Sequence, residues 1–233
     1  MKYKRIVIKI GTSLITEKDG DLNSKFILDL SKVCEKLIKL NYEIVLISSG
    51  AVGAGIQLID KKLIDNINQK QTSVKQVLAS LGQPYLMKHY QEIFDKSDLK
   101  TSQILLTRKE ITEDKSTYLN IKNTIEKLIE FKIIPIINEN DVVSTEELEG
   151  EKFGDNDTLS SFVSNMIDAN LLIILSSIEG LFTTDPNLYP QSAKLISEIK
   201  NVGIQDIDSL GGPSTNNLGT GGMDAKLKAI EMA

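Results

Sequence analysis

The sequence predicts an α/β protein, a three-layer sandwich in which an open, mainly parallel sheet lies between two layers of helices. Short runs of β-branched and aliphatic residues alternate with longer stretches that have the spacing of amphipathic helices. The links between them are short, which favours parallel strands with helices on both faces. No linker divides the 233 residues, so a single domain over residues 1–233 is expected.

The charge and residue composition of the chain exclude several classes of function. The net charge of −5 argues against a nucleic acid or an anionic membrane as the main partner. No apolar run approaches the ~20 residues that span a bilayer, and the start lacks a signal-peptide pattern. The single cysteine, Cys34, lies in a helix pattern and predicts a core residue and a cytoplasmic protein. The single histidine, His89, also lies in a helix pattern, which moves any catalysis to Lys, Asp, Asn and backbone N–H groups.

The first predicted strand is Arg5–Ile10, which ends in the turn Gly11-Thr12-Ser13. Lys9 lies inside this apolar strand, one residue before the turn. It is interpreted as a cation directed at phosphate, beside the N–H groups of the turn. The alternative is an edge lysine whose charge reaches water.

A helix capped by Asn23 or Ser24 and ended by Asn41 leads to the second strand, YEIVLI. That strand runs into SSGAVGAG, residues 48–55, whose small side chains allow main chain to lie against a ligand or another helix. Ligands of parallel sheets bind at the carboxyl ends of the strands. The turn at residues 11–13 and the loop at residues 48–55 both follow strands, so both are expected at the ligand-binding edge.

The middle of the chain continues the alternation, with a helix, a strand, a helix and a strand over residues 74–94, 101–107, 115–131 and 133–137. Gly82-Gln83-Pro84 predicts a kink or break in the first of these helices. Pro135 favours an edge or strand-start position for the last strand.

Two clusters of Asn and Asp follow, at residues 138–141 and 154–157. Asn156 or Asp157 is suited to cap the next helix, and capping accounts for one residue of the eight. The clusters also suit binding of an amino group and alignment of lysines, and carboxylates for a metal are a further alternative.

The last part begins with a strand over residues 171–176, followed by a short hairpin around Gly180. It ends with GTGGMDAK, residues 219–226, which opens a helix with Met223, Leu227 and Ile230 on one face. Glycines before a helix N-terminus leave backbone N–H groups that can bind phosphate, and Lys226 lies in the first turn of this helix. The stretch matches neither a Walker A loop nor a dinucleotide fingerprint, and an ordinary glycine turn is the alternative.

Seven motifs in order, KIGTS, SSGAVGAG, GQPYLM, NENDVV, GDNDTLS, GLFTTDP and GTGGMDAK, resemble the amino acid kinase family. The resemblance covers Lys9 to Lys226 and implies a sandwich with about eight strands. SSGAVGAG, NENDVV and GDND are most similar to the members that phosphorylate the γ-carboxylate of L-glutamate with ATP, the first step of proline biosynthesis.

The resemblance implies roles for single residues. Lys9 and Lys226 are similar to the pair that stabilises the transferring phosphoryl group, and Asp157 to the aspartate that holds both lysines. The implied substrate-binding residues are Ser49, Gly50, Ala51, Asp141 and Asn156. The implied ATP-binding residues are Lys9, Gly11, Thr12, Ser13, Ser176, Ser177, Thr220, Gly221, Gly222, Met223, Asp224, Ala225 and Lys226.

Cofactors and partners follow from the same resemblance. Mg²⁺ is expected to enter with ATP, with no metal site built by the protein itself. L-Proline is expected to inhibit as the end product, and a homodimer or homotetramer is expected, formed through residues 74–130. Alternatives are a same-fold kinase for acetylglutamate, aspartate, carbamate or UMP, and a sensor without turnover. A nicotinamide dehydrogenase is a more distant alternative, because no G-x-G-x-x-G follows a strand.

The sequence departs from the family at Ser176-Ser177, where Thr-Asp is usual, and at Asp224-Ala225, where Ser-Thr is usual. The resemblance further implies at least one strand beyond Ala233. The accessory domain of the RNA-modification type that many relatives carry at the C-terminus is not expected within residues 1–233.

Overall fold

Five parallel strands form the sheet in a computed structural model that describes residues 4–17, 21–64, 71–144, 156–199 and 223–233. In chain order the strands are β1 Arg5–Ile10, β2 Glu43–Ser48, β3 Lys100–Leu106, β4 Ile133–Glu139 and β5 Leu171–Leu175. Their order across the sheet is β3-β4-β2-β1-β5, and every pairing is parallel. All five strands expected from the apolar runs are therefore confirmed.

Helices cover both faces of this sheet. They are α1 Thr12–Ile15, α2 Ser24–Lys39, α3 Ala51–Ile56, α4 Lys61–Ile64, α5 Thr72–Phe94, α6 Arg108–Thr112, α7 Lys115–Glu130, α8 Asn156–Met166 and α9 Met223–Met232. The side chains of β1 alternate between two hydrophobic clusters. Ile6, Ile8 and Ile10 pack with residues of α2 and α5, whereas Val7 packs with residues of α7 and α8. This is the predicted three-layer arrangement.

The strand count differs from the expectation of about eight. Two further pairs, Thr16 with Leu22 and Phe182 with Leu195, form only isolated antiparallel bridges, so the predicted hairpin after β5 does not extend into a ladder in the described residues. Residues 200–222 lie outside the described part of the chain.

Several local expectations are confirmed. Asn23 caps α2 by accepting from the backbone N–H of Phe26, and Asn41 follows the helix at φ 64°. Cys34 is fully buried. Burial raises the pKa of its thiol to about 12, so it is an inert core residue.

The structure shows no break at Pro84, which was one of two predicted alternatives, and the edge or strand-start position predicted for Pro135 is wrong. Pro84 lies inside α5, which runs without a break from Thr72 to Phe94. Pro135 lies in β4, an interior strand rather than an edge strand. Pairing of β4 with β2 begins only at Ile136, directly after the proline, so the missing N–H falls where that ladder has not yet started.

Helix α9 packs on α8, and only part of its predicted apolar face is buried. Leu227 and Ala229 are buried, whereas Ile230 is 47% exposed. Ser161 of α8 donates to the carbonyl of Ala229 (2.6 Å), which fixes the face that α9 turns inward. In the described ranges no helix is both long and apolar enough to cross a membrane.

Candidate active site

The carboxyl ends of β1, β2 and β4 lie side by side, since these strands are parallel. At the end of β2, Gly50 adopts φ 103°, a backbone conformation that residues with a Cβ atom rarely adopt. It allows the chain to turn from Ser49 into α3. The N–H of Ser49 donates to the carbonyl of Ile10 (3.3 Å), which holds the main chain of this turn beside the end of β1.

Two lysines from opposite ends of the chain contact the carboxylate of Asp157. Lys9 Nζ lies 2.6 Å from Oδ1, and Lys226 Nζ donates to Oδ2 (3.0 Å). The side chains are 5%, 14% and 0% exposed for Lys9, Lys226 and Asp157. Lys9 therefore belongs to a buried ion-pair network in an interior strand, which rules out the edge-lysine alternative. Two cations therefore share one buried carboxylate at this point.

Buried amide side chains lie next to this network. Asn156, the first residue of α8, donates through Nδ2 to Ser49 Oγ (3.0 Å) and to Asn138 Oδ1 (3.0 Å). Asn138 in turn donates to Gln83 Oε1 of α5 (2.9 Å). Ser49 and Asn156, two of the expected substrate residues, are thus in direct contact, and β4 and α5 support them.

A further expected substrate residue, Asp141, follows β4 and is 8% exposed. Burial, and then the negative charge of Glu139, raise the pKa of Asp141 from 3.8 to about 7. Glu139 itself accepts from Ser144 Oγ (2.5 Å). Among the described residues, no group of three or more His, Cys, Asp or Glu side chains is placed to hold a metal ion.

A model of the amino acid kinase family matches residues 4–233. The chain belongs to the amino acid kinase family. Known proteins agree with this assignment. The chain is 46% identical over 99% of its length to glutamate 5-kinase from Dehalococcoides mccartyi (strain CBDB1) and 43% identical over 99% to glutamate 5-kinase from Dictyoglomus thermophilum. It spans 60% and 58% of those two relatives.

A shorter relative is covered more completely. Glutamate 5-kinase from Ligilactobacillus salivarius is 42% identical over 98% of this chain, which spans 83% of that protein. Among solved structures, UMP kinase from Bacillus anthracis aligns with a TM-score of 0.60 at 14% identity, covering 98% of this chain and 84% of the other. That likeness shows the fold of the family.

The expected nucleotide residues are only partly in the described part of the chain. Gly11 follows β1, but its N–H donates to the carbonyl of Leu175 (3.2 Å), so this donor is already used. Thr12 and Ser13 form the first turn of α1. Ser176 and Ser177 follow β5, the neighbour of β1, and Ser177 is exposed.

Only part of the stretch GTGGMDAK lies within the described residues. Thr220, Gly221 and Gly222 lie outside the described residues. Met223 begins α9, and Asp224 and Ala225 are part of its backbone. Of the whole GTGGMDAK stretch, Lys226 is therefore the residue whose contact with the site is established.

Sequence reasoning placed Asn138 in the predicted Asn and Asp cluster at residues 138–141 without a role of its own, and it missed Gln83. Both are at least 93% buried, since their exposed fractions are 2% and 7%. A signal for Gln83 exists in the sequence: it lies four residues after Ala79 and three before Leu86, on the buried face of α5. A polar residue at a core position of an amphipathic helix requires a buried partner.

Proposed function

We propose that this protein uses ATP to phosphorylate the γ-carboxylate of L-glutamate, giving L-glutamyl 5-phosphate in the first step of proline biosynthesis. The observation that carries the proposal is the placement of Lys9 and Lys226 on the two oxygens of Asp157. The names of the relatives support the choice of glutamate as the acceptor.

Transfer of a phosphoryl group to a carboxylate depends on positioning of the two substrates and on stabilisation of negative charge, more than on proton transfer. The γ-carboxylate is already ionised near pH 7, because its ordinary pKa is about 4.3, and so needs no general base. One of its oxygens attacks the γ-phosphorus while the bond from that phosphorus to the β-γ bridging oxygen breaks and ADP leaves. Negative charge then lies on the equatorial and bridging oxygens, where two ammonium groups stabilise it.

Asp157 serves as the positioning residue for both lysines. Without it, two cations would repel each other at a site where Lys9 is 4% exposed. The carboxylate keeps both Nζ atoms within 3.0 Å of its oxygens before the nucleotide arrives, which reduces the reorganisation needed at the reacting phosphate.

Magnesium fits this site as a partner of ATP. Both carboxylate oxygens of Asp157 lie against lysine ammonium groups, which disfavours Asp157 as a metal ligand. Mg²⁺ would be held by phosphate oxygens and water, and would neutralise part of the triphosphate charge.

The amide cluster and Asp141 are proposed to hold the amino acid. Ser49 and Asn156 present polar groups next to the ion-pair network, and Asp141 presents a carboxyl group suited to an ammonium. A free α-amino group is therefore expected to distinguish the substrate from N-acylated acids.

The test is a hydroxamate assay with ATP, Mg²⁺ and hydroxylamine, run side by side with L-glutamate, N-acetylglutamate and L-aspartate. We expect γ-glutamyl hydroxamate from L-glutamate and at least tenfold lower rates with the other two acids. Preference for another acid would favour a same-fold kinase of different specificity. Tight ATP binding without product from any acid would favour a sensor.

Three further features belong to this proposal. L-Proline is proposed to compete near the glutamate site as the end product, so millimolar proline should raise the KM for glutamate. Assembly as a homodimer or homotetramer through residues 74–130 and a cytoplasmic location are proposed with it.

A further inference from the structure

A continuous chain of hydrogen-bonded amides connects the exposed edge of the sheet to the candidate substrate site. Gln83 Nε2 donates to Gln103 Oε1 on β3 (3.0 Å), and Gln83 Oε1 accepts from Asn138 Nδ2 (2.9 Å). Asn138 Oδ1 accepts from Asn156 Nδ2 (3.0 Å), which also donates to Ser49 Oγ. The chain becomes more buried along its length, from exposed Gln103 to Asn156 at 1% exposure.

The direction of this chain is fixed by one backbone group. The N–H of Glu139 donates to Asn138 Oδ1 (2.9 Å), and a backbone N–H cannot act as an acceptor. The oxygen of Asn138 must therefore face Glu139 and Asn156, and its NH₂ must face Gln83. Since an NH₂ group needs an acceptor, Gln83 has to present Oε1 to Asn138.

This direction determines what the site presents to a ligand. Asn156 must turn its NH₂ toward Asn138 and Ser49, which leaves Oδ1 on the other side of the amide. Within the described residues, Asn156 Oδ1 is buried without a hydrogen-bond partner. A buried acceptor of this kind is costly in the free protein and is satisfied when a ligand brings an N–H donor.

We propose that Gln83 is a positioning residue that holds the Asn138 and Asn156 amides in one orientation, so that Asn156 Oδ1 accepts from the α-ammonium group of the substrate. The proposal deepens the proposed function, on which its choice of substrate rests. Gln83 contacts no substrate; it acts through Asn138. Recognition of the amino group is then set from α5, outside the loops that carry the substrate residues.

The first experiment compares Gln83→Met, which keeps the volume but removes the acceptor, with Gln83→Glu, which keeps an acceptor for Asn138. Gln91→Met is the matched control, because it makes the same change at an exposed position of the same helix. Binding of L-glutamate and of glutarate, which lacks the amino group, is measured by isothermal titration calorimetry, with melting temperatures and the KM for ATP measured in parallel.

We expect Gln83→Met to weaken L-glutamate binding about tenfold, the loss of one buried hydrogen bond, with glutarate binding and the KM for ATP unchanged. Gln83→Glu and Gln91→Met should stay within about twofold of the wild type for both ligands. An unchanged affinity for L-glutamate, or an equal loss for glutarate, would overturn the proposal. Binding that behaves as expected without any turnover would instead contradict only the proposed function.

A second pair of variants decides the matter if Gln83→Met does not fold. Gln103 is exposed, so it tolerates both Gln103→Lys and Gln103→Glu. A lysine at position 103 donates to Gln83 and favours rotation of the Gln83 amide, which would turn the NH₂ of Gln83 toward the NH₂ of Asn138. A glutamate at position 103 keeps the acceptor that the NH₂ of Gln83 needs. We expect L-glutamate binding to be about threefold weaker in Gln103→Lys than in Gln103→Glu, and equal affinities would reject the proposal.

Discussion

Asp157 is the residue on which the geometry of the site depends. A fully buried carboxylate is unfavourable unless it is paired, and here each of its two oxygens has a lysine beside it. Its position at the start of α8 would suffice to explain an Asp as a helix cap. The two ion pairs show that it also joins β1 to α9, which capping would not require.

Asp141 gives a prediction about pH. Its pKa is raised from 3.8 to about 7, so the folded protein holds this proton more tightly than the unfolded chain. Its stabilising contribution is therefore present below about pH 4 and is lost as the pH rises to about 7. We expect Asp141→Asn to match the wild type at pH 4 and to exceed its free energy of unfolding by about 2–4 kcal/mol above pH 7.

Urea unfolding at pH 4, 5.5 and 8 measures this difference. Asp29→Asn removes an exposed carboxyl group from α2 and serves as the control, with no comparable gain between pH 4 and pH 8. A difference between Asp141→Asn and the wild type that stays constant with pH would show that burial does not shift the titration of this group.

The sequence predicted Lys9, Lys226 and Asp157 as candidate site residues, but it did not predict the contact between Gln83 and Asn138. Lys9 can be recognised as a candidate because a lysine in an apolar strand requires a partner. Asp157 can be recognised because it lies in a polar cluster before an apolar helix. Gln83 and Asn138 are 55 residues apart, and nothing in either local stretch indicates that α5 passes over the end of β4. Such contacts depend on tertiary packing.

At the scale of elements, two glycines set how closely α3 and α5 approach. A Cβ on Gly82 would lie 1.9 Å from the carbonyl oxygen of Ala51, and a Cβ on Gly55 would lie 1.9 Å from that of Leu78. Both obstacles are backbone atoms of the other helix, so neither can rotate away. The interpretation of SSGAVGAG as main chain lying against another helix is thereby confirmed.

Gly82→Ala should therefore separate α5 from α3 and destabilise the protein by about 1–3 kcal/mol or more, measured by urea unfolding. Because α3 begins directly after Ser49 and Gly50, which are proposed to bind the substrate, the KM for L-glutamate should rise as well. Gly53→Ala is the control: its Cβ would meet Thr16 Cγ2 at 3.0 Å, a side-chain atom that can shift. Equal stability of the two variants would contradict this account of the helix contact.

Element types were predictable because the apolar periodicity of this chain is strong, whereas the possible break at Pro84 and the edge or strand-start position of Pro135 are not found. Pro84 is accommodated in a long helix that packs on α2, α3 and β3, and this packing offsets the hydrogen bond that it removes. Pro135 is tolerated in an interior strand because the ladder with β2 starts one residue later. Both outcomes depend on neighbours that local sequence does not specify.

At the scale of the whole molecule, the sheet order brings the two ends of the chain to one point. β1 lies in the interior between β2 and β5, so Lys9 reaches the carboxyl edge among three strands, and α9 packs on α8 beside it. Parallel strands and the edge at which ligands bind follow from β–α–β order alone. The order β3-β4-β2-β1-β5 does not, because several right-handed crossovers satisfy the same chain.

Lys226, which the structure places beside Asp157, is proposed to stabilise the transferring phosphoryl group. The most direct measurement is kcat in the hydroxamate assay for Lys226→Ala, with Lys228→Ala on the same helix as the control. We predict that kcat falls by about 10²–10³ in Lys226→Ala, with a melting temperature within a few degrees of the wild type, while Lys228→Ala keeps its activity. A folded Lys226→Ala protein with unchanged kcat would contradict this role of Lys226.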